Sequence, residues 1–292
     1  MKKEIKIFCF GFGQVAKSFI KKLLQKKINF RLSTTNTKKT EFKKIGNKKY
    51  ISYYFFDDKF DSDLLDDLSS SNKILISIPP RDGKDLVLKS FFKNFKKNNF
   101  DWITYLSATS VYGNKNGKWV NENSSLTPSS KRGLSRLKAE KDWLNFHKKF
   151  NLPIQIFRLA GIYSLENNIL KRLNSGSLIV VKKSKHYFSR IFVDDIAEIL
   201  ILSLKKFNPG EIYNICDNYP CSNEEIAKYA SNLINIDLPK KINFKDLKNK
   251  ILKDFYKDSK KISNRKMKSF FKYKLKYPTY KEGLNMIKNH MV

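Results

Sequence analysis

The six residues GFGQVA, beginning at Gly11, have the types and spacing to cradle a phosphate. They follow an apolar run, IKIFCF (5–10), and open QVAKSFIKKLLQKK. In that stretch Val15, Phe19, Ile20, Leu23 and Leu24 recur at helical spacing. Gly11 permits a tight turn, Gly13 lets an anion approach the backbone, and Ala16 allows helix and strand to pack closely. The first helical turn, with Gln14 and Val15, offers unpaired N–H groups to that anion. A strand–glycine turn–helix unit of this kind predicts a dinucleotide pyrophosphate; the other reading is a glycine turn in a fold that binds nothing. The end of the second predicted strand, STTNTKK, carries the hydroxyls of Thr34 and Thr35 and then Lys38 and Lys39. An acid for a ribose 2′-hydroxyl is absent there, which tilts the expected cofactor from NAD toward NADP. Ile78 and Pro79, and Ser107, lie at the ends of later strands that would border the same cofactor.

Elements of the right length to position these residues alternate along the chain. Strands are expected at 28–34, 50–56, 73–80, 101–107 and 153–159, with helices over SDLLDDL, GKDLVLKSFFKNFKK and SKRGLSRLKAEKDWLNFHKKF. This β-α-β order predicts an α/β, Rossmann-like doubly wound parallel sheet. After Tyr163 the pattern loosens. LENNILKRLNSG reads as a helix and SLIVVKK as a strand, before RIFVDDIAEILILSLKK and EIYNIC restore the alternation. Ser222 and Glu225 form a capping-box signature for EEIAKYASNLI. The expected organisation is a Rossmann domain over 1–163 and 190–216, and a smaller, discontinuous substrate domain over 164–189 and 217–292.

Composition narrows the function classes. At 292 residues and 41% hydrophobic, the chain can bury a core and is not of disordered type. It has no apolar run long enough for a membrane span. The start, MKKEIKIFCF, has lysines before an apolar run as a secretory leader does, but Glu4 and Lys6 interrupt it. Cys9, Cys216 and Cys221 are too few for a disulfide framework, and CDNYPC lacks the partners of a zinc site. A reduced, cytoplasmic setting and no metal are expected. The net charge of +32 suggests nucleic acid, yet the lysines are spread evenly and no nucleic-acid motif accompanies them. A lysine-rich solvated surface with weak, salt-sensitive attraction to polyanions is the expectation, with no specific nucleic acid and no membrane as partner.

Beyond the glycine turn, YLSATSVYG (105–113), WVNENSSLTP (119–128), FRLAGIY (157–163), RIFVDDIAEIL (190–200), EIYNICDN (211–218) and the tail 263–284 appear in sequence. In this order and spacing the chain resembles the extended short-chain dehydrogenase/reductases, the NAD-dependent epimerase/dehydratase family. The resemblance implies a nicotinamide cofactor at the sheet edge, a small-molecule substrate between two domains, and a Ser/Thr–Tyr–Lys catalytic set. Aligned by its motifs, however, this chain has Ala108 at the Ser/Thr, Arg132 at the Tyr and Arg136 at the Lys. Its GxGxxA also departs from the family's usual TGxxGxxG, as in an atypical branch.

An arginine has no proton-accepting form at neutral pH, so Arg132 cannot take over the tyrosine's role. Its planar fork binds anions. Arg132 and Arg136, one helical turn apart, therefore read either as a clamp for a phosphate or carboxylate of substrate or cofactor, or as a solvated face with Arg136 paired to Glu140. Arg158 is a second expected substrate-binding cation. The remaining catalytic candidates are Ser107, Thr109, Tyr112 and Tyr163, the last only if a cation such as Arg158 lowers its pKa; packing is the other reading of both tyrosines. One of Asp194 and Asp195, which precede an apolar helix, is expected to be its N-cap. Two functions stay open: an NAD(P)-dependent oxidoreductase, epimerase or dehydratase on a small, anionic carbonyl or sugar-type substrate, or a non-catalytic NAD(P)-binding sensor or interaction protein.

Overall fold

The computed structural model describes residues 4–291, apart from the side chains of residues 250, 251 and 254. Residues 1–3, where the leader-like start begins, and Val292, where the expected second domain ends, lie outside them. Two compact units form. The first takes in the chain up to Ser107, Leu134–Arg158 and Ile196–Ile212; the second takes in Ala108–Gly133, Leu159–Asp195 and the chain from Tyr213 on.

In the first unit β1 (Ile5–Phe10) leads through Gly11–Gly13 into α1 (Gln14–Gln25). Then come β2 (Phe30–Asn36), β3 (Glu41–Ile45), β4 (Lys48–Phe56), β5 (Lys59–Phe60), α2 (Leu64–Ser70) and β6 (Lys73–Ile76). α3 (Leu86–Lys97), β7 (Trp102–Ala108), α4 (Lys131–Phe150) and the strand Ile154–Leu159 follow. The strands run in the order Ile154–Leu159, β7, β6, β1, β2, β4, β3, with β5 on β4. β1 pairs in parallel with both β2 and β6, and β2 with β4, so their carboxyl ends share one edge of the sheet. This bears out the doubly wound parallel architecture. α1 buries Val15, Ala16, Phe19, Ile20 and Leu23. Each large apolar side chain buried this way contributes roughly 1.5–3 kcal/mol, which fixes the helix's N-terminus above the end of β1. The antiparallel additions β3 and β5 were not expected from the apolar pattern. Both form on two-residue turns, Gly46-Asn47 and Asp57-Asp58. Gly46, Asp57 and Asp58 adopt positive φ in these turns, as mirror-type hairpin turns demand.

The second unit is built from short pieces. Gly161–Tyr163 pairs with Arg190–Phe192, Val181–Lys182 with Ile242–Asn243, and Lys261–Ile262 with Trp119–Val120. Residues 108–133, expected with the Rossmann domain, group with this unit. Gly113, at φ +66°, sits so close to the Thr127 carbonyl that a Cβ would lie 1.7 Å from its oxygen. Tyr112 donates to Asn214 Oδ1 at 2.7 Å, and Asn214 N donates to Glu122 Oε1 at 2.8 Å. Ser222 caps Asn223–Ile234 by accepting from Glu225 N at 3.0 Å, as expected. Neither Asp194 nor Asp195 stands at the N-cap, because both lie within the first turn of the helix Val193–Ser203, and Asp195 has another role. Its carboxylate accepts from Tyr273 OH at 2.6 Å, Lys276 N at 2.8 Å and Tyr277 N at 3.0 Å, and so pins the C-terminal segment. Among the described residues, no helix is long and apolar enough to cross a membrane.

Candidate functional site

The glycine turn lies at the carboxyl edge of the sheet. Gly11 is left-handed at φ +82°, and a Cβ there would fall 2.9 Å from Ser77 Oγ and 3.0 Å from Ile78 Cγ1. Only glycine fits both the conformation and the space. Thr35 Oγ1 accepts from Gly11 N at 2.8 Å, and Ser77 Oγ lies 3.0 Å from the carbonyls of both Phe10 and Gly11. Gly13 is the N-cap of α1 and has no side-chain cap; a Cβ there would meet nothing within 4 Å. The turn is thus locked on one side and open on the other, where Gly13 and Gln14 are exposed. Val15 offers only its backbone, because its side chain is in the core. An open glycine cap on a helix N-terminus fits a pyrophosphate, so the residues present suit a dinucleotide.

The neighbouring strand end is less available than its hydroxyls suggested. Thr34 and Thr35 are buried; Thr34 donates to Ser52 Oγ at 3.0 Å, and Thr35 holds the Gly11 amide. Thr35 positions the turn, and Thr34 ties β2 to β4. Asn36 Oδ1 accepts from Lys38 N at 2.8 Å and Lys39 N at 3.1 Å, which leaves both lysine side chains exposed just beyond β2. Of the acids around this strand end, Asp67 is occupied by Ser33 at 2.5 Å and Tyr53 at 3.0 Å, and Glu41, which pairs with Lys43 at 3.0 Å, also feels the charges of Lys38 and Lys39.

The loop after β6 begins at Ser77, and Pro79 is exposed on it. It turns back through Arg81–Lys84 and ends at Asp85, which caps α3 by accepting from Leu88 N at 2.8 Å. Ser135 on α4 accepts from Gly83 N at 3.1 Å. One residue on, Arg136 Nη1 donates to the Leu106 carbonyl at 2.5 Å. The half-buried Arg136 is therefore turned onto β7 and is not paired with Glu140. Burial raises the pKa of Asp85 and that of Tyr105, while the Arg136 cation acts on both in the opposite sense. Asp85 Oδ2, Tyr105 OH, Trp143 Nε1 and Ser107 Oγ are buried without a well-formed hydrogen bond, although the Trp143 indole is near enough to Asp85 to act on its carboxyl. Ser135, Arg136 and Asp85 thus couple the end of β7 to the loop that supports the glycine turn. Ser77, Ser135 and Asp85 escaped the sequence reading; the Asp82-Gly83 pair was the signal that a turn had to be anchored there.

Two expected roles fall away. Arg158 is 1% exposed and donates from Nε to Glu140 Oε1 and Oε2 at 3.1 and 3.2 Å, and from Nη2 to Oε2 at 2.7 Å. It is a buried structural cation, with no surface for a substrate. Tyr163 is buried, its hydroxyl 3.5 Å from the Thr279 carbonyl. A Cβ on Gly283 would lie 2.2 Å from that hydroxyl, so the ring is wedged against a glycine. Burial and the Asp217 charge raise its pKa well above the usual value, the opposite of what an acid/base requires. Tyr112 is buried and committed to Asn214. Thr109, on the 3-10 turn Thr109–Tyr112, is half-buried, and Arg132 is exposed.

Comparison with known proteins agrees with this geometry. The pattern of the NAD dependent epimerase/dehydratase family matches residues 89–216. A dTDP-D-glucose 4,6-dehydratase of Dictyostelium discoideum is 28% identical over 162 residues, 48% of this chain and 36% of that protein. The chain therefore spans well under half the length of that relative. A conserved protein of unknown function from Silicibacter pomeroyi DSS superposes over 98% of both chains with a TM-score of 0.85 and 29% identity. A UDP-glucuronic acid 4-epimerase from Bacillus cereus, solved in complex with NAD, covers 98% of both chains with a TM-score of 0.77 at 17% identity, a likeness of fold. Residues 89–216 thus carry the pattern of the NAD dependent epimerase/dehydratase family, and the chain has the Rossmann-like α/β fold of these solved structures.

Proposed function

We propose that this protein binds a nicotinamide dinucleotide, NADP in preference to NAD, and acts as an NAD(P)-dependent oxidoreductase, epimerase or dehydratase on a small anionic substrate of the sugar-nucleotide type. The glycine turn carries the reading: Gly11 is locked in a left-handed turn against Ser77 and Ile78, beside the open cap at Gly13. Gly13, Gln14 and the Val15 amide would hold the pyrophosphate, and Ile78, Pro79 and Ser107 would border the rest of the cofactor. When bound, the nicotinamide supplies hydride exchange. Lys38 and Lys39, with no acid at the end of β2, support the preference for a 2′-phosphate. Relatives of the family that act on dTDP- and UDP-sugars support the substrate class.

Proton transfer takes another route than a tyrosine. Ala108, Arg132 and Arg136 stand at the family's catalytic positions, and Tyr112 and Tyr163 are committed to packing. Arg132 would hold an anionic group as a permanent cation, Thr109 would offer a hydroxyl, and the proton would come from water or the substrate itself. Arg136 serves as a positioning residue at the end of β7. The same three replacements favour the second reading, a non-catalytic NAD(P)-binding protein. A screen of UDP- and dTDP-sugars with the dinucleotide separates the two, read by absorbance at about 340 nm for net redox change and by product chromatography for epimers and dehydration products. Any turnover that is lost in Arg132→Ala supports the enzyme; binding of cofactor with no turnover of any sugar supports the sensor.

A further inference from the structure

The contact between Arg81 and Phe56 has no place in the packing of the core. Phe56 is the last residue of β4 and is 42% exposed; Arg81 is exposed on the loop after β6. The guanidinium carbon stands 5.1 Å from the centre of the Phe56 ring. Between these two strands the sheet order places β1 and β2. All four strands end on the same edge, so the contact joins two elements that leave the carboxyl edge of the sheet on either side of β1 and β2. In an open α/β sheet that edge is where a ligand lies.

Both supports of this bridge are rigid. Arg81 and Lys84 exchange backbone hydrogen bonds of 2.9 Å each, around Asp82 and Gly83, whose φ values are +48° and +74°. Gly83 N is tied to Ser135 at 3.1 Å. Phe56 starts the Asp57-Asp58 turn, in which Asp58 pairs with Lys89 and accepts from Ser90 at 3.3 Å. The loop leaving β2 is laid against β4 as well, with Thr40 Oγ1 accepting from Tyr54 N at 2.8 Å. Lys38 and Lys39 sit on that loop. Asp58 and Asp67 are occupied by their own partners, Asp57 and Asp82 are exposed residues at turn tips, and Glu41, which acts on Lys38 and Lys39, is paired with Lys43 at 3.0 Å.

We infer that Arg81, carried on the ring of Phe56, selects a 2′-phosphorylated adenosine, with Lys38 and Lys39 as supporting cations. A guanidinium stacked on a ring keeps its N–H fork directed in its own plane, and that fork matches a phosphate. The inference rests on the dinucleotide reading above and names the residues that discriminate between the two cofactors.

The test is the pair of dissociation constants for NADPH and NADH, with 2′,5′-ADP and 5′-AMP as fragments, in the wild type and in Arg81→Gln, Arg81→Lys, Phe56→Leu and the Lys38→Gln/Lys39→Gln double variant. Thermal melts confirm that each variant is folded. Losing a charge-assisted phosphate contact costs about 10- to 100-fold in affinity. Arg81→Gln should weaken NADPH and 2′,5′-ADP by that factor and leave NADH and 5′-AMP within about threefold. Arg81→Lys and Phe56→Leu should fall between, because one keeps the charge without the fork and the other the fork without its platform. Equal losses for NADPH and NADH, or none, overturn the assignment of Arg81 while leaving dinucleotide binding intact. A folded wild type that binds neither dinucleotide overturns both.

Discussion

Replacing Arg158 by methionine separates a structural cation from a substrate-binding one. Arg158 and Glu140 are each 2% exposed at the side chain and share three hydrogen bonds of 2.7 to 3.2 Å. Arg158→Met leaves the Glu140 carboxylate buried and without its cation. Breaking one side of such a pair costs about 3–5 kcal/mol. At roughly 2–4 °C per kcal/mol for a chain of this size, the melting temperature should fall by on the order of 10 °C. The double variant Arg158→Met/Glu140→Leu removes the stranded charge and should recover at least about 2 kcal/mol of the loss. Urea unfolding of the wild type, both single variants and the double variant gives the coupling, and titration of the folded fraction with NADPH gives the affinity. A fully stable Arg158→Met with weakened ligand binding would refute the buried-pair account. So would a double variant as unstable as the single one.

Asp217 predicts a pH dependence. Burial pushes its carboxyl from 3.8 up to about 8, against the pull of the Tyr219 amide and Arg190; the Asp195 and Glu282 charges raise it further. The unfolded chain therefore loses this proton first, and stability from this group is full below about pH 4 and falls at up to roughly 1.4 kcal/mol per pH unit until about pH 8. Asp217→Asn keeps the acceptor for Tyr219 N and cannot ionise, so at pH 7 it should be more stable than the wild type by roughly 2–4 kcal/mol and near parity at pH 4. Parallel urea-unfolding curves from pH 4 to 8 would contradict this. Tyr163→Phe should change stability by less than about 1 kcal/mol and leave any turnover intact, since its hydroxyl makes one long hydrogen bond. A turnover loss of tenfold or more would return Tyr163 to the chemistry.

The parts of the fold that apolar periodicity controls were legible in the sequence. IKIFCF, QVAKSFIKKLLQ and DWITYLS became β1, α1 and β7 with small shifts at their ends. β3 was hidden because EFKKI places lysines on an exposed edge strand, where no buried face imposes alternation. The glycine turn was legible since glycine spacing reports backbone conformation directly. Partnerships were not: Thr34, Thr35, Arg136 and Arg158 have the chemistry of ligand-binding groups, and only the three-dimensional packing reveals that each serves the protein itself. The same holds for Asp195, a helix-cap type by sequence that instead ties down residues 273–277. Arg81 and Phe56 lie 25 residues apart in sequence, and only the strand order makes their contact meaningful.

Dinucleotide binding at the glycine turn is the central claim, and Gly13 provides a clean control. A side chain at Gly13 meets nothing within 4 Å, and Gly13 caps α1 without a side-chain acceptor. Gly13→Asp should therefore fold, even with a better cap, while placing a carboxylate where the pyrophosphate would lie. The measurement is a fluorescence titration of the wild type and Gly13→Asp with NADPH and NADH at about 0.2 M salt, which suppresses non-specific attraction of anions to the basic surface. Saturable binding by the wild type, tighter for NADPH, with loss of at least about 100-fold in a folded Gly13→Asp, is the expected result. Wild-type binding that Gly13→Asp leaves unchanged, or none at all, would contradict the account.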